Sequence, residues 1–519
     1  MNKNSLLIQS LQNPSLYPHD IEYIRVIETH ISWVLLTGHY AYKIKKPLDL
    51  GFLDFSSLDK RRHYCLEELR LNSRLAPDIY LDVVTINGTE QQPIIDGSGT
   101  VIEYAVKMHQ FENDQTFDLL LVQNQLTSEY IKQTAKIIAT FHSRIERAAA
   151  DAEFGNADTI MQFVRENFSQ ILLLDGIERM DSLDQLESWS EQQYAELQAF
   201  FRQRKQSGFV RECHGDLHLG NIALISGQVV PFDGIEFNPS LYWIDVMSEV
   251  AFLVMDLQDK QRYDLAFQFL NEYLQHSGDY DGLKLLRFYL VYRAIVRAKV
   301  NAIRANQNTS AKEHQQATSS YYSYLKLANR YTQTSTPLMM IMHGVSGSGK
   351  SWLSEKIITR CQAIRIRSDV ERKRLHNLSP QQKTHLRIAG DLYSQSSSDM
   401  TYSHLLQLAV KIITAGYIVI VDATFLQQQQ RKLFSQQAEA MQVPFLIVHT
   451  QTDEQTLIQR INDRARQLNN VSDADQTILE NQLQTMQTLG DEELKCTITV
   501  DTNNNSHLCR LWELLVLRQ

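Results

Sequence analysis

The segment Cys213-His214-Gly215-Asp216-Leu217-His218-Leu219-Gly220-Asn221 sets an aspartate and an asparagine five residues apart, and Asp233 of Phe232-Asp233-Gly234-Ile235-Glu236 follows twelve residues after Asn221. A carboxylate there can accept the proton of a hydroxyl group. An asparagine five positions on and a second aspartate beyond a hairpin can hold Mg²⁺, the arrangement that phosphoryl transfer uses. The hairpin is legible, because Ile222–Ile225 and residues 228–232 read as two strands around Ser226-Gly227. Asp216 is therefore the expected base, and Asn221 and Asp233 the expected metal ligands.

A second constellation is Gly344-Val345-Ser346-Gly347-Ser348-Gly349-Lys350-Ser351, between an apolar strand at 338–342 and a helical run. Its glycines Gly344, Gly347 and Gly349, with Ser348 between them, let backbone N–H groups turn inward around a phosphate, and the helix N-terminus adds positive potential. Lys350 then reaches the β/γ-phosphates of ATP and Ser351 offers a hydroxyl to Mg²⁺. Asp369 and Asp422 fall just past the second and third apolar strands, so both open on the sheet edge that carries the phosphate loop. Two carboxylates are wanted there, one to hold Mg²⁺ and one to take the acceptor proton, and position alone does not divide Asp369 and Asp422 between these duties. A helix N-cap is the plain alternative for each.

Upstream, Ala41-Tyr42-Lys43-Ile44-Lys45 alternates as a strand after the turn Thr37-Gly38-His39. A strand lysine that meets the α/β-phosphates of ATP needs a helix glutamate to hold it, and Lys43 with Glu68 is the candidate pair. Lys45 shares the strand face and Glu67 adjoins Glu68, so both registers stay open. No G-x-G-x-x-G precedes Lys43. Arg293, Arg297 and Arg304 form a stripe at i, i+4 and i+11; a solvated or salt-bridged face is the plainer reading, a pocket for an acidic or phosphorylated acceptor the functional one.

The phrases His214 to Asn221, Phe232 to Asn238 and Tyr292 to Arg304 resemble the aminoglycoside phosphotransferase and choline kinase branch of the protein-kinase-like fold, which has His-Gly-Asp where protein kinases have His-Arg-Asp. Residues 338–510 resemble small P-loop kinases such as zeta toxins, gluconate kinase and polynucleotide kinase. That likeness rests on the phosphate loop, on Ser368-Asp369-x-x-Arg372 and on Asp422-Ala423-Thr424. The whole chain looks like a bacterial fusion of the two modules. The resemblance implies that Asp369 faces the acceptor hydroxyl, leaving Asp422 for Mg²⁺, and that lid arginines, here Arg460, Arg464 and Arg466, clamp ATP. It also implies that His214 orders its loop through backbone hydrogen bonds in preference to binding zinc, and Asp245 is expected to brace that loop or cap a helix.

The expected function is an ATP- and Mg²⁺-dependent phosphotransferase that acts on hydroxyl groups of small molecules, with one site per domain. The alternatives are a nucleotide-gated regulatory protein and an N-terminal domain that modifies a protein. The region after Asp233 has no Ala-Pro-Glu segment, which weighs against a protein kinase.

The elements around these sites change texture along the chain. Short β-type runs mix with a helix from about 59 to 75, then residues 127–331 are mostly helical, and Pro337 closes a polar stretch at 332–337. Beyond it, apolar strands at 338–342, 363–366, 417–421, 444–449 and 497–500 alternate with helix-length gaps, the pattern of a five-stranded parallel sheet. The expected domains are 1–332, an α+β protein-kinase-like fold, and 337–519, an α/β P-loop kinase. The 51 basic and 60 acidic residues, net −9, argue against a nucleic-acid or membrane-surface binder. Five scattered cysteines without a C-x-x-C pair, and an N-terminus without a signal peptide, fit a cytoplasmic protein.

Overall fold

The structure, a computed structural model, describes residues 3–51, 53–174, 181–307, 310–333, 336–378, 395–465 and 476–516. Contacts divide the chain into two compact units. The first comprises Met1–Thr134, Phe141–Asp256 and Tyr292–Tyr322, and the second Ala135–Thr140, Leu257–Val291 and Ser323–Gln519.

In the first unit β1 (Arg25–Glu28), β2 (Ser32–Leu36), β3 (Tyr40–Lys45), β4 (Tyr80–Gly88), β5 (Pro93–Ile95) and β6 (Val101–His109) form an antiparallel sheet in the order β1-β2-β3-β6-β4-β5. Strand alternation divides β3 between two faces. Tyr42 and Ile44 enter a core with Leu35, Val84, Ile86 and Ala105, under Leu7, Leu11 and Tyr17 of the N-terminal segment. Lys43 and Lys45 fall on the opposite face, where Cys65 of the helix Leu58–Asn72 and Tyr80 and Val106 of the sheet build a second cluster. Ser57 caps that helix, its Oγ accepting from Lys60 N at 3.2 Å. This registration aims the lysines at Glu68.

Two short ribbons follow: β7 (Val210–Glu212) pairs with β10 (Trp243–Asp245), and β8 (Ile222–Ile225) with β9 (Gln228–Pro231). The catalytic-loop candidate 213–221 runs between β7 and β8. Asp245 takes the cap role of the two expected of it: Oδ1 accepts from Met247 N at 2.8 Å at the start of the helix Val246–Asp259, and its oxygens pair with Arg204 of the helix Asp181–Gln206 at 2.6 and 2.8 Å.

In the second unit β11 (Met339–His343), β12 (Ile364–Arg367), β13 (Val419–Asp422), β14 (Phe445–Gln451) and β15 (Thr497–Asp501) form an all-parallel sheet in the order β12-β13-β11-β14-β15. Each lies within two residues of the apolar run that predicts it. All five residues of β11 are buried, as a central parallel strand covered on both faces requires. β12 is an edge. Asn271 of the helix Tyr263–Ser277 closes it, donating from Nδ2 to Ala363 O at 2.9 Å and accepting from Arg365 N at 2.7 Å.

None of the five cysteines is in a disulfide. Among the described residues no helix is long and apolar enough to cross a membrane.

Candidate functional site

The first unit gathers Lys43, Glu68, Asp216, Asn221 and Asp233 from a strand, a helix and two loops. Lys43 Nζ lies 2.7 Å from Glu68 Oε1 and 2.6 Å from Asp233 Oδ1. Lys45 Nζ lies 2.7 Å from Glu68 Oε2 and pairs with Glu236 Oε1. Both lysines therefore meet Glu68. Glu68 is the glutamate, and Glu67 instead pairs with Arg70 at 2.8 Å. Lys43 is the lysine at the open side, with 12% of its side chain exposed against 1% for Lys45, next to an Asp233 carboxylate that is 45% exposed.

Desolvation raises the Glu68 carboxyl, but the two ammonium groups outweigh it and bring the pKa down to about 2. Asp216 follows the same logic. Burial pushes it up, and the His218 charge and hydrogen bond, with Arg297 and His214, hold it well below the usual carboxylate range.

The catalytic loop is fixed by its own amides. Asn221 Nδ2 donates to Asp216 O and Asp216 Oδ2, both at 3.0 Å, and to Asp233 O at 3.3 Å. With Nδ2 so committed, the amide oxygen turns the other way. Gly215 adopts φ +86°, and a Cβ there would sit 2.9 Å from Leu241 O. His214 behaves as expected: Nε2 meets Phe232 O at 2.9 Å and Nδ1 accepts from Asp216 N at 3.3 Å. Asp233 is itself left-handed at φ +59°, its N–H donating to the Tyr80 hydroxyl at 3.1 Å. The next residue, Gly234, donates to Asn72 Oδ1 at 2.7 Å.

Sequence reasoning missed the supports beneath the loop. Glu249 Oε2 accepts from Gly215 N at 2.7 Å while Oε1 meets His142 Nε2 at 2.9 Å, and Asp256 Oδ2 accepts from Leu219 N at 2.9 Å. Glu249 and Asp256 stand seven residues apart on one buried helix, a spacing that could have flagged them. His142 carried no such signal. Arg293 is also a support, with Nη1 3.4 Å from Gly215 O and Nε 3.2 Å from Ser248 O. It is only 5% exposed, so it does not belong to the solvated face that is the plainer reading of the stripe. His142, Cys213 and Glu249 have ligand atoms within 4.8 Å of one another, but both Glu249 oxygens already accept hydrogen bonds within the protein.

In the second unit the phosphate loop leaves β11 and enters the helix Lys350–Cys361. Gly349 has φ +95°, and a Cβ there would lie 2.7 Å from Thr502 Cγ2. Lys350 Nζ donates to Gly344 O and Val345 O, each at 2.8 Å, and Ser346 N donates to Gln482 Oε1 at 2.7 Å. Ser348 Oγ ties the loop to Thr450 Oγ1 at 2.7 Å. Asp422 ends β13 beside the end of β12, 3.3 Å from Ser354 Oγ and 3.8 Å from Arg367 Nε. Asp369 lies in the first turn of the helix Ser368–Leu375, 3.6 Å from Arg372, and that helix has no side-chain cap bond. Both aspartates are therefore at the carboxyl edge of the sheet.

Arg460 braces the phosphate loop, donating from Nη1 to Gly347 O at 3.3 Å and to Thr502 Oγ1 at 2.9 Å. The Arg464 side chain and all of Arg466 lie outside the described residues.

The donor sets suit Mg·ATP. Asp233, Asn221, Ser351 and Asp422 offer only oxygen to a cation, the preference of hard Mg²⁺. Lys43, 2.6 Å from Asp233, and Lys350, on the phosphate-loop carbonyl Gly344 O, are the cations that phosphate oxygens require.

Residues 339–489 match the family AAA_33, described as an AAA domain. The chain is 29% identical over 413 residues to an uncharacterized protein of Mycobacterium tuberculosis, covering 79% of this chain and 80% of that one. A choline/ethanolamine kinase family protein from Mesorhizobium loti is similar in structure at 8% identity and a TM-score of 0.40, over 64% of this chain and 99% of its own. A gluconokinase from Sinorhizobium meliloti 1021 is similar at 20% identity and a TM-score of 0.26, over 36% and 99%. Residues 339–489 are therefore similar to an AAA domain on an all-parallel five-stranded sheet, and the first unit carries a six-stranded antiparallel sheet.

Proposed function

We propose that this protein is a bifunctional ATP-dependent kinase that phosphorylates hydroxyl groups of small molecules, with one Mg·ATP site in each unit. The observation that carries the reading is the convergence of Lys43, Glu68, Asp216, Asn221 and Asp233, residues up to 190 positions apart, on one partly open surface. Bound Mg·ATP would supply the transferred phosphoryl group and the cation that offsets its charge.

In the first unit Asp216 accepts the acceptor proton. Its depressed pKa keeps it ionised and ready as a hydrogen-bond acceptor at neutral pH. Asn221 and Asp233 would hold the cation, and Lys43, kept in place by Glu68, would serve the α/β-phosphates. The charge of Arg297, which also reaches Asp216, favours an acceptor that bears an acidic or phosphorylated group.

In the second unit Ser351 and Asp422 would hold the cation, and Lys350, which rests on the loop carbonyls Gly344 O and Val345 O, would serve the β/γ-phosphates. The loop amides would cradle the phosphate chain, and Asp369 would face the acceptor hydroxyl. A screen of metabolite extracts for γ-phosphate transfer tests the reading, run with Lys350→Ala and with Asp233→Asn so that each site reports alone. Distinct small-molecule products that vanish with the matching substitution are expected. Labelling of protein only, or of nothing, would overturn it.

A further inference from the structure

We infer that Lys45 is a positioning residue: it clamps Glu68 to Glu236 and thereby fixes the segment that presents Asp233 to Mg²⁺, an inference that rests on the Mg·ATP reading of the first unit. The two oxygens of Glu68 are divided between two lysines, Lys43 on Oε1 and Lys45 on Oε2, both at 2.7 Å. Lys43 is shared with Asp233 and has to leave it once that carboxylate turns to a cation. Lys45 has no such second duty. It stays between Glu68 and Glu236, with its side chain and both carboxylates under 5% exposed.

Glu236 follows Asp233 by three residues in the same short segment. The helix that carries Glu68 grips this segment a second time through Asn72, which accepts from Gly234 N at 2.7 Å. Tyr80 takes the Asp233 N–H, and Asp233 is held at φ +59°, a conformation that a non-glycine residue keeps only when its surroundings impose it. Two lysines face three carboxylates in this group. Without Lys45, Glu68 and Glu236 become a buried pair of like charges served by Lys43 alone. Lys43 is then held back from the phosphates, and the Asp233 segment loses its charged tether and keeps only the hydrogen bonds to Asn72 and Tyr80.

A core salt bridge with no functional duty would affect folding and all nucleotide binding alike, whereas a positioning residue affects the part of ATP affinity that depends on Mg²⁺. The test titrates ATP calorimetrically into the full chain carrying Lys350→Ala, with and without Mg²⁺, and compares it with Lys45→Met, Lys45→Arg and Glu236→Gln in that background. The Mg²⁺ enhancement of ATP affinity is expected to fall about tenfold in Lys45→Met and Glu236→Gln while Mg²⁺-free affinity stays within about threefold, and Lys45→Arg recovers most of the loss. Glu236→Gln is isosteric and keeps an acceptor for Lys45, so it decides the matter if Lys45→Met does not fold. Equal losses with and without Mg²⁺, or no loss in either variant, would overturn the inference. Absence of Mg²⁺-dependent ATP binding in the Lys350→Ala parent would instead bring down the proposed function, and this inference with it.

Discussion

Replacing Asp216 by asparagine separates a chemical role from a structural one. Asp216 Oδ2 accepts from Asn221 Nδ2 at 3.0 Å and lies 3.5 Å from His218 Nε2. A neutral amide cannot take a hydroxyl proton, and loss of a general base costs about 10²–10⁴-fold in rate, or about 3–5 kcal/mol of barrier. The cost to the fold is smaller. The new side chain can turn its oxygen to Asn221, exchanging a charge-assisted bond for a neutral one at about 1 kcal/mol. Asn221 keeps its backbone acceptors, Asp216 O and Asp233 O. The assay follows labelled γ-phosphate into the product of the first unit in a Lys350→Ala chain, paired with calorimetric titration of Mg·ATP. Turnover should fall at least about 100-fold while nucleotide affinity stays within about threefold. Asp233→Asn should weaken Mg·ATP binding itself, because it removes a full charge beside the cation. Retention of more than about a tenth of turnover by Asp216→Asn, or equal loss of nucleotide affinity in the two variants, would refute the assignment.

Lys350→Ala should lower turnover by the second unit at least about 100-fold and leave ATP binding by the first intact; unchanged turnover would remove the phosphate loop from the mechanism. A carboxyl whose folded pKa lies below its unfolded value adds stability that is complete above the unfolded value and is lost as pH falls through the folded one. Glu68 is such a group, lowered from 4.5 to about 2 by Lys43 and Lys45 against its own desolvation. Thermal midpoints of wild type should therefore drop more steeply between pH 4.5 and 2 than those of Glu68→Gln, and parallel profiles would contradict the pairing. A fragment 337–519 lacks Asn271, which serves Ala363 O and Arg365 N at the β12 edge. It should be less stable than a fragment 257–519, by about 1 kcal/mol per lost hydrogen bond. Equal midpoints would favour the boundary at 332–337 that composition suggests.

Much of both sites was legible because phosphate chemistry restricts residue type and spacing together. Asp216, Asn221 and Asp233 lie in one stretch of chain joined by a local hairpin, and the phosphate loop is continuous in sequence. The parallel sheet was legible for a similar reason: its strands are buried on both faces and read as unbroken apolar runs. What stayed closed depended on contacts distant in sequence. Period two placed Lys43 and Lys45 on one face, but only the helix register shows Glu68 dividing its oxygens between them. Arg293 belonged to a basic stripe in the sequence and turns out to meet one loop carbonyl, Gly215 O, and one helix carbonyl, Ser248 O, because helix periodicity fixes a face without fixing what the face meets. Asn271 gave no signal, since one amide mimicking a strand partner has no pattern.

The central claim is that each unit holds its own Mg·ATP, and the nucleotide stoichiometry of the full chain tests it most directly. Calorimetric titration with Mg²⁺ and a non-hydrolysable ATP analogue should give two nucleotides per chain. Lys350→Ala and Asp233→Asn should each abolish or strongly weaken one site and leave the other, and the double variant should lose both. A single nucleotide per wild-type chain, or a single substitution that removes both, would contradict the account.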